Sequence, residues 1–242
     1  MTTGSLNVRY YKLYLHNDNL GRTEDCIDLD TTDTALLAVD VGGMGHSMML
    51  EKENEVISEH ILPAMNAARR VGIPVVYVNN SAPKIEIQRS ELGKISERSH
   101  DLLWEEWGSE DTVDPKEYVY GNSKALKIPT LIEPQSKDYF LRKHSYSGFF
   151  DTRLDGLLRN LGINTLICVG FSLDVCLHST MIDAMNLNYQ VVLLRDATLA
   201  QELPDDVEDL PFTKRLITLT EYSIGYTASS QSFISACSRI SD

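Results

Sequence analysis

Four short runs constrain this chain most: TALLAVD (34–40), IPVVYVN (73–79), NTLICVG (164–170) and YQVVLLRD (189–196) are almost wholly apolar and rich in β-branched residues. A strand with one wet face alternates apolar with polar residues. A strand that is apolar on both faces is covered by helices on both sides, as in a parallel sheet. The segments between carry helical spacing. ENEVISEHILPAMNAARRVG (53–72) sets Val56, Ile57, Ile61, Met65 and Ala68 on one stripe and stops at Gly72. DTRLDGLLRNLG (151–162) sets Leu154, Leu157, Leu158 and Leu161 on another, with Thr152 and Asp155 in capping-box spacing and Gly162 as the stop. Strand, helix and strand in succession form a βαβ unit with a right-handed crossover. KDYFLRK (137–143) reads as a further strand, RLITLT (215–220) as the last one, and SSQSFISACSRI (229–240) as a terminal helix. The expected fold is α/β: a three-layer, doubly wound, Rossmann-like, mostly parallel sheet of about six strands with helices on both faces.

With 242 residues and no internal repeat, the chain suits a single domain over 1–242, with 1–33 as an N-terminal extension and 80–137 as a long connection bordering the site. Apolar residues at 43% and charged residues at 24% exclude a mostly disordered chain. The net charge of -13 argues against nucleic acid and anionic membrane as partners, because a phosphate-binding face must be basic. Part of that acid lies in EEWGSEDTVDPKE (105–117), which reads as a solvated loop. No apolar run approaches the ~18 residues of a membrane span and no signal-peptide pattern opens the sequence, so a cytoplasmic protein is expected. Cys26, Cys168, Cys176 and Cys237 lack CxxC spacing, so neither a zinc site nor a disulfide framework is expected.

In an open parallel sheet, ligands bind beyond the carboxyl ends of the strands. Three reactive residues fall at that edge: Asp40 ends the first buried strand, Lys143 ends the strand after the long connection, and Cys176 opens a helix just past the strand ending at Gly170. A cysteine at a helix N-terminus beside a cation has its pKa lowered, and Lys143 supplies the cation. Asp40 is placed to accept the thiol proton, pass it to a leaving amine and later activate water. Taken singly, each has a plainer reading: a cysteine in a helix is usually a small buried apolar residue, a strand-end aspartate a cap, and a lysine solvated. Their shared edge favours the catalytic reading. That reading also expects rapid alkylation of Cys176 near neutral pH.

The stretches TALLAVD, KHSYSGFFDTRLDGLLRNLGI and GFSLDVCLHSTMIDAMNLNYQVVLLRDA, over roughly residues 34 to 200, resemble the isochorismatase-like cysteine hydrolases. That family includes nicotinamidases, N-carbamoylsarcosine amidase, ureidoacrylate amidohydrolase and biuret hydrolase; KHSYSGFFDTRLD is similar to the ureidoacrylate amidohydrolase branch. The resemblance implies an Asp40, Lys143, Cys176 triad that cleaves a C–N bond of a small amide or ureido substrate through a thioester. It also implies a non-proline cis peptide at Phe171–Ser172, which turns the Ser172 N–H toward the Cys176 N–H as an oxyanion hole. It implies a homodimer or tetramer and no cofactor. Relatives commonly continue the first strand as DMQN, where this chain reads DVGGMGHS, and carry Thr where this chain has Leu173, while Asp174 is kept. Nothing between 79 and 100 reproduces the Asp-x-His metal arrangement of nicotinamidases, so no metal is expected.

Tyr146, Phe149, Asn79 and Gly43 are the expected substrate contacts, with Phe150 nearby and at least one of the aromatic residues serving the core. Trp104, Trp107, Tyr118 and Tyr120 suit either a lid or a subunit contact. Four other readings compete. DVGGMG resembles a phosphate loop but has Met48 in place of the third glycine, and Asp40 would repel a pyrophosphate. A Cys/His dyad would need His178, about 200° around the helix from Cys176, or His144, on the opposite face of its strand from Lys143. A noncatalytic binding protein has no use for all three reactive residues, and an isochorismate-type vinyl ether hydrolase has none for the thiol.

Overall fold

A computed structural model of the chain describes residues 3–12, 21–42, 49–80, 91, 94 and 128–241. The four apolar runs form strands as the sequence implies: β3 (Thr34–Val39), β4 (Val75–Asn80), β6 (Thr165–Phe171) and β7 (Gln190–Leu199). β5 (Tyr139–Lys143) joins them, and a three-residue β8 (Tyr226–Ala228) completes a parallel set. Residues assigned to an N-terminal extension form a hairpin, β1 (Thr3–Lys12) with β2 (Gly21–Asp30), that pairs antiparallel with β8. The sheet therefore has eight strands rather than about six, in the order β2-β1-β8-β7-β6-β3-β4-β5. The mixed α/β class, a single open sheet flanked by helices, is as expected.

The helices are α1 (Leu50–Val56), a π-helical turn (Ile57–Ile61), α2 (Leu62–Arg70), α3 (Leu154–Asn160), α4 (Cys176–Asn186), α5 (Pro211–Ser223) and α6 (Ser230–Ser241). Strand alternation sorts their packing. Leu36, Ala38, Tyr77 and Ile167 meet α1, α2 and α6 on one face, while Leu37, Val39, Val78 and Cys168 meet α3 and α4 on the other. In α3 the capping box is half formed. The Thr152 hydroxyl accepts the Leu154 N–H at 3.1 Å, but Asp155 accepts the Tyr189 hydroxyl at 2.8 Å and pairs with Arg159 instead of reaching back.

RLITLT is not a strand; it lies within α5. Its β-branched residues pass for a strand in a six-residue window, yet Pro211 opens the helix and Glu202 accepts the Phe212 and Thr213 N–H groups at 3.1 and 2.7 Å. Buried Thr213, Thr220 and Glu221 then recur at helical, not strand, spacing.

Glu221 fastens the hairpin. Its fully buried carboxylate accepts Arg9 at 3.0 Å, Arg22 at 2.8 Å and the Thr227 hydroxyl at 2.8 Å. Burial pushes its carboxyl up, but the hydrogen bonds from Arg22 and Thr227 and the charges of Arg9 and Arg22 together hold it below the usual 4.5. The unfolded chain then takes up this proton first as pH falls. The carboxylate's stabilisation is complete above pH ~4.5 and is lost as pH drops through the lower folded-state value. Urea titration of Glu221→Gln should therefore give a lower midpoint than wild type at pH 7, with the difference narrowing steadily below pH ~4.5. A difference independent of pH contradicts this assignment.

Candidate active site

β3, β4 and β5 run outward in one direction from the middle of the sheet and β6, β7 and β8 in the other, so the chain reverses its winding between β3 and β6. A crevice opens at such a point, beyond the carboxyl ends of the strands. Close approach of these two strands dictates Gly170: its φ is +114°, and a Cβ there would lie 2.0 Å from the Val39 carbonyl oxygen.

Asp40 follows β3 directly. Continued alternation would send its side chain to the face of Leu36 and Ala38, away from α4. Its φ of +44° breaks that alternation, a conformation aspartate tolerates better than most residues. Its carboxylate accepts the Asn80 N–H at 2.7 Å on one oxygen, and Asn80 Nδ2 at 3.3 Å and Lys143 Nζ at 2.7 Å on the other. Lys143 ends β5 in register with Asn80, on the same face as Val76 and Val78. Its head is fully buried and also donates to Asn80 Oδ1 at 2.6 Å and to the Ser145 carbonyl at 3.1 Å.

Cys176, at the first position of α4, is 8% exposed. Its sulfur lies 4.0 Å from Nδ2 of Asn80, the side chain that bonds both Asp40 and Lys143. The Phe171–Ser172 peptide is cis, and the Ser172 carbonyl accepts the Val175 and Leu177 N–H groups, each at 3.1 Å. Among the described residues, the Ser172 and Cys176 N–H groups have no hydrogen-bond acceptor.

The electrostatics correct one expectation. Burial pulls the Lys143 ammonium down, but the Asp40 and Cys176 charges outweigh it and the net shift is upward. The Cys176 thiol is not lowered. Burial first, and the Asp40 carboxylate next, push it up to about 12 against the pull of Lys143. At rest the site therefore holds an aspartate–lysine ion pair beside a neutral thiol, an arrangement suited to moving a proton from sulfur to carboxylate as bond formation begins.

The other expected contacts divide. The Tyr146 ring is 40% exposed, and its phenol is pushed up by burial, then by the charges of Cys176 and Asp174, which places it at the rim. Phe149 is partly buried and packs against the core, its ring 5.7 Å from that of Tyr189. Asn79 is buried and reaches the Val41 carbonyl at 3.4 Å; its neighbour Asn80 makes the site contacts. Counting alternation back from Val76 and Val78, which share a cluster with Cys176, would have selected Asn80. His144 is 3.8 Å from Asp151, and among the described residues the buried Nδ1 of His178 has no hydrogen-bond partner. Gly43, Trp104, Trp107, Tyr118, Tyr120, the acidic run 105–117 and most of 79–100 lie outside the described residues. Among the described residues, no group of three or more His, Cys, Asp or Glu side chains could hold a metal, and no helix is long and apolar enough to cross a membrane.

The isochorismatase domain model matches residues 34–210, nearly three quarters of the chain and all of the site just described. The chain belongs to the isochorismatase family. It is 30% identical over 186 residues to the ureidoacrylate amidohydrolase RutB of Acinetobacter baylyi, covering 72% of this chain and 73% of that one. The RutB of Agrobacterium fabrum is 31% identical over 144 residues, 57% of this chain; the match spans only 60% of that relative's length. In structure it resembles a cysteine hydrolase from Pseudomonas syringae pv. phaseolicola with a TM-score of 0.71 at 21% identity, covering 88% of this chain and 95% of that one. The N-carbamoylsarcosine amidase of Thermoplasma acidophilum aligns with a TM-score of 0.55 at 28% identity, covering 82% and 96%.

The family model ends at residue 210, so the hairpin partners Glu221 and Thr227, like Arg9 and Arg22, lie outside the matched stretch. For the site itself, Asp40→Asn removes the charge that holds the thiol up and leaves Lys143 to pull it down. Iodoacetamide should alkylate Cys176 faster in Asp40→Asn than in wild type at pH ~8. A slower or equal rate contradicts the electrostatics.

Proposed function

We propose that this isochorismatase-family protein is a cysteine-dependent amidohydrolase that cleaves a C–N bond of a small amide or ureido compound, releasing ammonia or an amine. The observation that carries the proposal is the buried Lys143–Asp40 ion pair, 2.7 Å long, whose shared partner Asn80 lies 4.0 Å from the Cys176 sulfur. Asp40 takes the thiol proton as Sγ bonds to the substrate carbonyl carbon, and the carbonyl oxygen gathers negative charge. The N–H groups of Ser172 and Cys176 receive that oxygen, each contributing roughly 3 kcal/mol to the transition state. Asp40 returns the proton to the nitrogen as the C–N bond breaks. It then takes a proton from water as the water oxygen attacks the thioester carbon, and returns that proton to the sulfur as the C–S bond breaks. Lys143, paired with Asp40 at 2.7 Å, balances the charge that moves between sulfur and carboxylate. This sequence calls on no cofactor.

The relatives support the substrate class: ureidoacrylate amidohydrolases among the sequences, and N-carbamoylsarcosine amidase among the structures. Hydrolysis of a vinyl ether gives no task to a thiol held beside an acid and an amine, so the site favours the amidohydrolase over that alternative. A noncatalytic role likewise leaves a fully buried lysine without purpose.

The test is an ammonia-release screen across ureido compounds and carboxamides, with Cys176→Ser as the blank. Wild type should turn over at least one ureido or amide compound, Cys176→Ser none, and Lys143→Ala should lose more than ~100-fold in kcat/KM. Undiminished activity in Cys176→Ser rules out the covalent route, and insensitivity to Lys143→Ala rules out the triad.

A further inference from the structure

Asp174 sits two residues before the sulfur, outside the Asp40–Lys143–Asn80 group, and its hydrogen bonds run in another direction. Its Oδ1 accepts the Ser172 hydroxyl, and the Gln201 N–H at 3.1 Å. Ser172 is held elsewhere too. Its carbonyl takes the Val175 and Leu177 N–H groups, and the following peptide is tied down by the Leu173 N–H on the Leu199 carbonyl at 2.8 Å. Among the described residues, the polar group of Ser172 left unengaged is its own N–H.

The far end of this tether is itself fixed. Gln201 follows β7, and the residues beside it are anchored to α5: the Ala200 N–H donates to the Thr213 hydroxyl at 3.0 Å, and Glu202 caps the helix at the Phe212 and Thr213 N–H groups. A side-chain hydrogen bond from Ser172 to a carboxylate so held restricts rotation of the Ser172 peptide plane. That plane decides where its N–H points.

From this geometry we infer that Asp174 is a positioning residue, which aims the Ser172 N–H at the developing oxyanion by tethering the Ser172 side chain to the segment after β7. The inference rests on the reading of Cys176 as nucleophile with the Ser172 and Cys176 N–H groups as donors. Asp174 touches neither the thiol proton nor the leaving group in this role. Its loss should weaken steps that place charge on the carbonyl oxygen and spare those that do not.

Two probes of Cys176 separate these steps without requiring turnover. Iodoacetamide is attacked at a tetrahedral carbon: the S–C bond forms, iodide leaves, and no oxyanion arises. Propanal adds reversibly: the S–C bond forms, the carbonyl π pair moves onto oxygen, and the thiol proton ends there, giving a hemithioacetal whose oxygen occupies the oxyanion position. In Asp174→Ala, protection of Cys176 by propanal should weaken about 10- to 100-fold while the iodoacetamide rate alone stays within about twofold of wild type. Asp174→Asn, whose amide oxygen still accepts the Ser172 hydroxyl, should recover most of the protection. In turnover, kcat should fall with KM little changed. Should Asp174→Ala fail to fold, Ser172→Ala removes the same hydrogen bond from the other side and should show the same selective loss. Propanal protection equal to wild type in the variants, or a parallel fall in both probes, overturns the role of Asp174 alone. Absence of propanal protection in wild type overturns the oxyanion hole, and the positioning role with it.

Discussion

An ammonium group placed where no water reaches it dominates this structure. Removing such an ion from water costs several kcal/mol, and only an opposing charge with a full set of acceptors offsets it. Lys143 meets both conditions. Its three N–H donors face the Asp40 carboxylate, the Asn80 amide oxygen and the Ser145 carbonyl. Each acceptor is set by a different feature of the chain: the left-handed residue after β3, the last residue of β4, and the turn after β5. Satisfying one buried lysine therefore fixes how three strand ends meet, and the sulfur of α4 is packed against the result.

The same burial explains why the thiol is quiet at rest. A thiolate here would need Lys143 for itself, yet the lysine is already committed to Asp40, so the neutral thiol is preferred. In the proposed reaction, charge separation is deferred until a carbonyl arrives to receive the sulfur's electrons. Such a site resists adventitious alkylation and oxidation, since both proceed through the thiolate.

Much of the architecture was legible because strands buried on both faces have few other interpretations. β3, β4, β6 and β7 were visible as apolar runs, and α3 as a leucine stripe. The hairpin was not, because Leu6, Val8 and Leu29 are buried on one face only while the edge strand is lined with Glu24, Asp25 and Asp28, which read as loop residues. The middle of α5 reads as a strand because Ile217, Thr218 and Thr220 are β-branched and Leu216 and Ile217 are only partly buried, so a short window lacks the helical stripe. Within the site, Asp40, Lys143 and Cys176 announced themselves by chemical type at strand ends. Asn80 did not, since an amide after a strand usually marks a turn, and choosing between it and Asn79 required counting alternation. The direction of the thiol shift depends on depth of burial, which spacing along a chain does not carry.

The central claim is that Asp40 and Lys143 act on Cys176 as one unit, and a double-mutant cycle measures that coupling directly. On a ureido or amide compound that wild type hydrolyses, kcat/KM is compared for Asp40→Asn, Lys143→Met and the two together. The account predicts that each single change costs nearly as much as the pair, because either one dissolves the ion pair. Losses that multiply, with the double variant slower by the product of the two single effects, would mean that the acid and the amine serve the sulfur independently.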